Sequence, residues 1–203
     1  MKHRDTLPAA RRPSSIVTLA AVLAAALVSM TGCSAVQFRQ PLFPGDAREV
    51  AFDPALLGKW QHLEDGKRAI YEVARLNELG YVILYEDDGR PQTATMRLLK
   101  TRGVSLLEVC YRNSQSDDTN RTLHYFTYHV YARVRIEPDA LHVAALGGDW
   151  LEDRIRAARR LTRSEGAGEF IVTAPAAALR KDLLHYLDRP EAFRPEEELT
   201  RVK

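Results

Sequence analysis

The chain has 203 residues, of which 45% are hydrophobic and 28% are charged, with 29 basic and 27 acidic side chains. This composition is typical of a globular protein and disfavours a disordered, collagen-like or coiled-coil chain. Two cysteines are too few for a small disulfide-stapled fold. Outside the first 33 positions the sequence lacks a run of about 20 apolar residues, which excludes a polytopic membrane protein.

The first 32 residues have the pattern of a signal peptide. Basic residues lie at the start, and an apolar stretch rich in Ala, Val and Leu follows at 16–30. At about 15 residues this stretch is short for a membrane span but typical of a signal-peptide core. The basic residues are Lys2, Arg4, Arg11 and Arg12.

The segment ends in Met30-Thr31-Gly32-Cys33, which resembles the lipobox of bacterial lipoproteins. The resemblance implies cleavage before Cys33, acylation of its thiol and new amine (palmitate is a suitable label), and a firm membrane anchor. In such lipoproteins an Asp at the position of Ser34 retains the protein at the inner membrane. The resemblance therefore implies that this protein is anchored in the outer membrane and faces the periplasm. Two alternatives stay open: an ordinary secretory signal with an incidental cysteine, and an uncleaved anchor.

Removal of residues 1–32 leaves 25 basic and 26 acidic side chains. A nearly neutral chain lacks the basic field that nucleic acid requires, so we expect no nucleic-acid partner. Cys110 is then the one thiol left beside an acylated Cys33, which excludes an intramolecular disulfide. The sequence shows neither a base that would activate Cys110 nor a catalytic set, and we expect a non-enzymatic protein without a cofactor.

Residues 33–52 contain two prolines and a glycine without clear periodicity, which predicts a tether to the lipid. The remaining residues, 53–203, are one domain. Apolar alternation predicts strands near 68–76, 80–85, 93–100, 104–112, 124–136 and 140–146, followed by 169–173 and 197–203. The strand at 124–136 is the clearest, because its apolar side chains recur with a period of two.

Two helices are predicted late in the chain. Asp149 is suited to cap the first, which ends before Gly166, and Thr173 is suited to cap the second. Eight or nine sequential strands predict an all-β-dominated fold, an up-and-down antiparallel barrel, since closure removes exposed edges. A barrel of about eight strands either is filled by side chains or holds one small ligand. The apolar face of the second helix comprises Ala176, Leu179, Leu183 and Leu187.

Gly58-Lys59-Trp60 at the start of the first strand resembles the G-x-W signature of lipocalins and other calycins. The resemblance implies that Gly58 turns the chain into the barrel, that Trp60 plugs the closed end, and that a late arginine stacks on it. Arg201 is the candidate, within about 6 Å of the Trp60 ring. The order of short motifs resembles uncharacterised bacterial lipoproteins with a lipocalin-like domain: Asp53-Pro54, Leu106-Leu107-Glu108-Val109, His124, Gly148-Asp149-Trp150-Leu151, Val172-Thr173-Ala174 and Leu199-Thr200-Arg201.

No metal site is expected from the histidines. His124 and His129 are five residues apart on one strand and point to opposite faces, and a hairpin near Pro138 would place His142 opposite Val134.

Aromatic side chains are the candidates for a ligand pocket: Tyr81, Tyr85, Phe126 and Tyr128. A packed core is the alternative role for the same residues. Two functions follow: a non-enzymatic binder of a small apolar or amphipathic ligand, or an envelope structural or protein-interaction factor with a solid barrel. The sequence identifies neither the ligand nor a protein partner.

Overall fold

The structure, a computed structural model, describes residues 36–45, 47–64, 66–87, 89–116, 123–147, 161–163, 170–172 and 175–203. Strands dominate these residues. In chain order they are β1 (Val36–Phe38), β2 (Val50–Ala51), β3 (Gly58–Glu64), β4 (Lys67–Arg75), β5 (Gly80–Asp87), β6 (Arg90–Thr101), β7 (Val104–Ser116), β8 (Leu123–Ile136), β9 (Ala140–Ala145), β10 (Leu161–Arg163), β11 (Phe170–Val172) and β12 (Glu197–Arg201).

Eight of these strands close into an antiparallel barrel. They follow one another around it in the order β3, β4, β5, β6, β7, β8, β9 and β12, and β12 pairs back with β3. Each strand neighbours the next barrel strand in the sequence, so the predicted all-β, up-and-down barrel is confirmed. Closure pairs every edge of these eight strands, which removes the exposed edges that an open sheet would present.

Alternate residues of each barrel strand point inward and form one apolar core. The register sets Trp60 opposite Tyr71, and Val109 opposite Val130, so inward side chains meet in layers across neighbouring strands. This core includes Leu56, Trp60, Tyr71, Val73, Tyr81, Ile83, Ala94, Met96, Leu98, Leu107, Val109, Val130, Ala132, Val134, Leu141, Val143, Ala145 and Leu199.

A second apolar core lies on the outside of the barrel. Leu99, Leu106, Tyr131 and Ala144 point outward from β6, β7, β8 and β9 and are buried. They are covered by the helix α1 (Ala176–Tyr186) together with the residues that follow it at 187–193, and by the segment 36–45. The covering residues of this core are Val36, Phe38, Leu42, Phe43, Leu179, Leu183, Leu187, Ala192 and Phe193.

The predicted tether differs from the structure over residues 36–45 and 47–51. β1 pairs with β8 and β11, Phe43 is fully buried, and β2 pairs with the end of β6. This segment, which we call the N-terminal strap, crosses the outer face of the barrel from β8 to β6. A loop that contains prolines lacks periodicity whether it is free or packed, so the composition of this segment does not reveal that it packs on the barrel.

The second predicted helix is present as α1, and its predicted apolar face packs on the barrel. Residues 148–160 of the first predicted helix lie outside the described residues. Its expected end is wrong, because Leu161–Arg163 forms the strand β10, which pairs with β11. No helix in the described ranges is long and apolar enough to cross a membrane.

The predicted register of the β8–β9 hairpin is wrong by one residue. His142 lies opposite Arg135, and Val143 lies opposite Val134. The backbone of Glu137 donates to the carbonyl of Ala140, which closes a tight turn around Pro138 and Asp139. One residue of slip moves a side chain to the other face, so His142 points out of the barrel.

Candidate functional site

One end of the barrel is closed around Trp60. The guanidinium carbon of Arg201 lies 4.1 Å from the centroid of the Trp60 ring. The same guanidinium donates to the carbonyls of Ala55 (2.7 Å), Leu57 (2.8 Å) and Pro138 (2.9 Å). The predicted pair therefore stands at the closed end, where Arg201 ties β12 to the turn that precedes β3.

Gly58 makes that stack possible. Its φ is +121°, a conformation that residues with a side chain rarely adopt. A Cβ at Gly58 would lie only 2.7 Å from Nη1 of Arg201. The glycine of the G-x-W pattern therefore serves both the turn into β3 and the close approach of the guanidinium.

Tyr81, one of the predicted pocket residues, lies at this closed end. Its ring is fully buried and stacks on Phe52 at a centroid distance of 5.0 Å. Its hydroxyl accepts from the amide of Asp53 (2.6 Å) and donates to the carbonyl of the same residue (3.1 Å). Burial raises the pKa of Tyr81, so the phenol stays neutral and plugs the barrel.

The opposite end of the barrel is lined by tyrosines. Tyr85 lies opposite Tyr71, which is also the register partner of Trp60, and Tyr111 lies opposite Tyr128 with 5.8 Å between ring centroids. Tyr85 and Tyr111 are partly exposed and pack against the inner core, whereas Tyr71 and Tyr128 are buried. Of the predicted pocket residues, the structure thus brings Tyr85 and Tyr128 to one end and leaves Tyr81 at the other. The side chain of Phe126 lies outside the described residues.

His62 and Glu197 add a polar pair to the tyrosine-lined end. Each lies two positions along its strand from an inward apolar residue, Trp60 or Leu199, and therefore shares the inward face. Nε2 of His62 lies 3.8 Å from a carboxylate oxygen of Glu197, and Nδ1 lies 3.2 Å from the carbonyl of Glu198. The sequence did not single out this pair, because neither residue belongs to a motif and 135 positions separate them.

Buried Glu108 organises a second polar cluster, on the outer face of β6, β7 and β8. Its side chain is 2% exposed. Arg97 donates to one carboxylate oxygen, and Tyr131 donates to the other at 2.5 Å. Nδ1 of His129 lies 3.1 Å from the oxygen that Tyr131 contacts.

The electrostatics of this cluster favour the charged carboxylate. Burial by itself would raise the pKa of Glu108, but contacts with His129 and Tyr131 and the guanidinium of Arg97 outweigh it, so the pKa lies below the usual range. Burial and the neighbouring carboxylate raise the pKa of Tyr131. Glu108 is therefore an anion paired to a cation and to a neutral phenol.

The cluster also holds the N-terminal strap. Arg97 donates to the carbonyls of Phe43 (2.7 Å) and Pro44 (3.2 Å), and the amide of Leu42 donates to the Tyr131 hydroxyl at 2.7 Å. One feature of the sequence indicates the cluster around Glu108. Glu108 interrupts an apolar run, and a charged side chain that is buried in a strand needs polar partners.

Two grooves formed by described residues lie on the surface. One, of about 610 Å³, lies between β4 and β5 and is lined by Tyr71 and Tyr85 from the inner face as well as by Ile70 and Leu84 from the outer face. The other, of about 540 Å³, lies near Arg133 and Arg135. Among the described residues no group of three or more His, Cys, Asp or Glu side chains is arranged to hold a metal ion. The predicted lipidation site, Cys33, lies outside the described residues.

The fold and these sites define a closed β-barrel with one plugged and one tyrosine-lined end. No family model matches the chain, and neither a curated protein nor a solved structure was found to be similar to it.

Proposed function

We propose that the protein is a lipid-anchored envelope module whose lipocalin-like barrel binds a small apolar or amphipathic ligand without transforming it. Acylated Cys33 anchors the chain to the outer membrane, with the barrel in the periplasm. The binding site is the tyrosine-lined end of the barrel. The observation that supports this proposal most directly is the difference between the two ends.

Among the described residues, the two ends differ in how completely they cover the barrel interior. At the Trp60 end, the turn Pro54–Leu56, Arg201 and the stacked pair Phe52 and Tyr81 cover the interior. At the other end, Tyr85 and Tyr111 keep part of their surface exposed. A ligand that enters the barrel therefore enters from the tyrosine-lined end.

The chemistry of the tyrosine-lined end suits an amphipathic molecule. Tyrosine rings present an apolar face and a polar tip, and they lose little entropy on binding because they have few rotatable bonds. His62 and Glu197 place a polar pair beside these rings. The apolar part of a ligand packs against the rings of Tyr85, Tyr111 and Tyr128, and its polar part is solvated at the rim.

A thermal-shift titration tests the proposal. Palmitate and a palmitoyl lysophospholipid serve as probes, and saturating probe should raise the Tm by several degrees because only the folded state binds. Tyr85→Ala should remove most of that shift. Tyr186→Ala is the matched control, since Tyr186 is also partly exposed but lies on α1 outside the barrel. Equal shifts in both variants, or none in the parent protein, would contradict ligand binding at this end.

The packed middle of the barrel favours a second candidate, an envelope structural or protein-interaction factor. Leu98, Leu107 and Leu199 are at most 1% exposed and belong to one continuous cluster. Leu63, Ile70 and Leu84 are exposed apolar residues on β3, β4 and β5. An absence of any probe-induced shift would favour this candidate over the binder.

A further inference from the structure

The wall of the barrel parts between β4 and β5 at the tyrosine-lined end. The ladder that joins these two strands ends where Tyr71 lies opposite Tyr85. The ladders on either side, between β3 and β4 and between β5 and β6, continue to their hairpin turns. Ala69 and Ile70 therefore pair with β3 but have no register partner among the described residues of β5. We call the opening between the two hairpins the β4–β5 seam.

The groove of about 610 Å³ occupies this seam. Its volume lies within the range of about 300–1,000 Å³ that is usual for small-molecule sites. Tyr71 and Tyr85 line it from the inner face of the wall, and Ile70 and Leu84 line it from the outer face. The side chains of Ile70 and Leu84 are 45% and 42% exposed, and an apolar molecule that covered them would remove apolar surface from water. The seam therefore favours an apolar occupant that passes from the rings to the outer surface.

Charged side chains of both signs line the same groove. Arg68 and Glu86 are exposed, and neither forms an ion pair with another described side chain. Glu72 also lines the groove, but its carboxylate is paired with Lys59 at 3.4 Å. One cation and one anion are thus left beside an apolar slot. This arrangement complements a headgroup that carries both charges, whereas a simple carboxylate would meet repulsion from Glu86.

We propose that the β4–β5 seam is the ligand site of the barrel and that its ligand is a zwitterionic phospholipid with a single acyl chain. The inference rests on the proposed function and names its ligand class. The acyl chain lies between the tyrosine rings and the aliphatic side chains of Ile70 and Leu84. The guanidinium of Arg68 donates to the phosphate, and the carboxylate of Glu86 accepts from the ammonium group. Since one hairpin bounds the seam on each side, the seam accommodates one chain.

Photochemical labelling tests the position of the acyl chain. The full chain is held in amphipol, and the probe is palmitoyl lysophosphatidylethanolamine with a diazirine in its acyl chain. Labelling should be saturable and should map to β4 and β5 by mass spectrometry. Ile70→Lys should weaken binding about 10-fold, because an ammonium group in the seam loses its water when the chain enters. Leu84→Lys, on the opposite wall, should do the same and serves as a second variant if Ile70→Lys does not fold.

Leu63→Lys is the matched control for the position of the chain. Leu63 is also an exposed apolar residue on the outer face, 70% exposed, but it lies on β3 and does not line the groove. Its replacement should leave labelling unchanged.

Competition by unlabelled lipids tests the headgroup. The lysophospholipid should displace the probe at a lower concentration than palmitate does. Glu86→Gln should weaken the lysophospholipid about 5-fold, the upper range for an exposed ion pair, and should not weaken palmitate. Arg68→Gln should weaken both, because both headgroups carry an anion. Glu78→Gln is the matched control, since Glu78 is an exposed glutamate in the turn at the far end of the same two strands.

The possible failures are distinguishable. Unchanged labelling of folded Ile70→Lys and Leu84→Lys would overturn the seam as the site, while the proposed function would stand. Equal competition by palmitate and the lysophospholipid, unaltered in Glu86→Gln, would overturn the ligand class. An absence of saturable labelling in the parent protein would overturn both this inference and the proposed function.

Discussion

At the scale of single residues, Gly58 and Arg201 show how a short motif acquires its structure. Gly58 adopts a positive φ and leaves room for the guanidinium, which covers Trp60 and binds three carbonyls. Each hydrogen bond from a charged donor to a carbonyl contributes roughly 1.5–3 kcal/mol when it is intact. A side chain at position 58 would disturb the backbone and the guanidinium together.

We expect Gly58→Ala to lower the free energy of unfolding by about 2–3 kcal/mol, because it combines an unfavourable φ with a clash. Gly103→Ala separates the two effects. Gly103 also has a positive φ, +77°, but nothing lies within 4 Å of the added Cβ. That control should therefore lose only about 1–2 kcal/mol. Urea unfolding measures both values, and equal losses would show that the contact with Arg201 is unimportant.

Glu108 is a second single residue on which stability depends, because its carboxylate is charged and buried. Its folded-state pKa is depressed, so it contributes stability above the carboxyl pKa of the unfolded chain, about 4.3, and this stability is lost as the pH falls through the folded-state pKa. Replacement of one partner of a buried ion pair typically costs about 3–5 kcal/mol.

We expect Glu108→Gln to reduce the free energy of unfolding at pH 7 by about 3 kcal/mol. The free energy of unfolding of the variant should also fall less than that of the parent protein as the pH is lowered below about 5. Glu72→Gln is the control. Glu72 forms an exposed pair with Lys59 at 3.4 Å, and such pairs contribute about 0–1 kcal/mol. Unfolding by urea at a series of pH values measures both. A Glu108→Gln curve parallel to that of the parent protein would contradict the role of the charge.

At the scale of elements, period-two alternation predicted the barrel strands well. The alternating strand β8 and the apolar face of α1 needed no tertiary information, because each pattern has the period of its own element. Residues 98–99 and 106–107, consecutive leucines that are all buried, depart from that alternation. Apolar residues on both faces of a strand indicate that both faces are covered, and here the N-terminal strap and α1 provide the outer cover.

The parts that the sequence did not predict depend on contacts between distant elements. The packed strap, the His62–Glu197 pair and the cluster around Glu108 join residues that only closure of the sheet brings together. The one-residue error in the β8–β9 register has the same origin, since the composition of a turn indicates its presence more reliably than its length. The sequence grouped Tyr81, Tyr85, Phe126 and Tyr128 as one candidate lining, whereas the structure separates Tyr81 from Tyr85 and Tyr128, because the position of a residue along its strand decides at which end it lies.

At the scale of the whole molecule, the anchor is the property to test first. We expect the chain made in a bacterial host to incorporate labelled palmitate and to fractionate with the outer membrane. Cys33→Ser should abolish the label and release or mislocalise the protein, whereas Cys110→Ser should keep both label and location. Incorporation of palmitate into the Cys33→Ser variant would show that the lipid is attached elsewhere, and its absence from the parent protein would remove the anchor from the proposal.

The position of β1 sets how such an anchored molecule would stand on its membrane. Only Ser34 and Ala35 separate Cys33 from Val36, so the backbone between the acylated residue and the sheet spans at most about 11 Å. Val36 lies on the flank of the barrel beside β8, and not at either end. A barrel held so closely by its side would lie parallel to the bilayer with its tyrosine rim facing sideways, within reach of molecules that diffuse along the membrane surface.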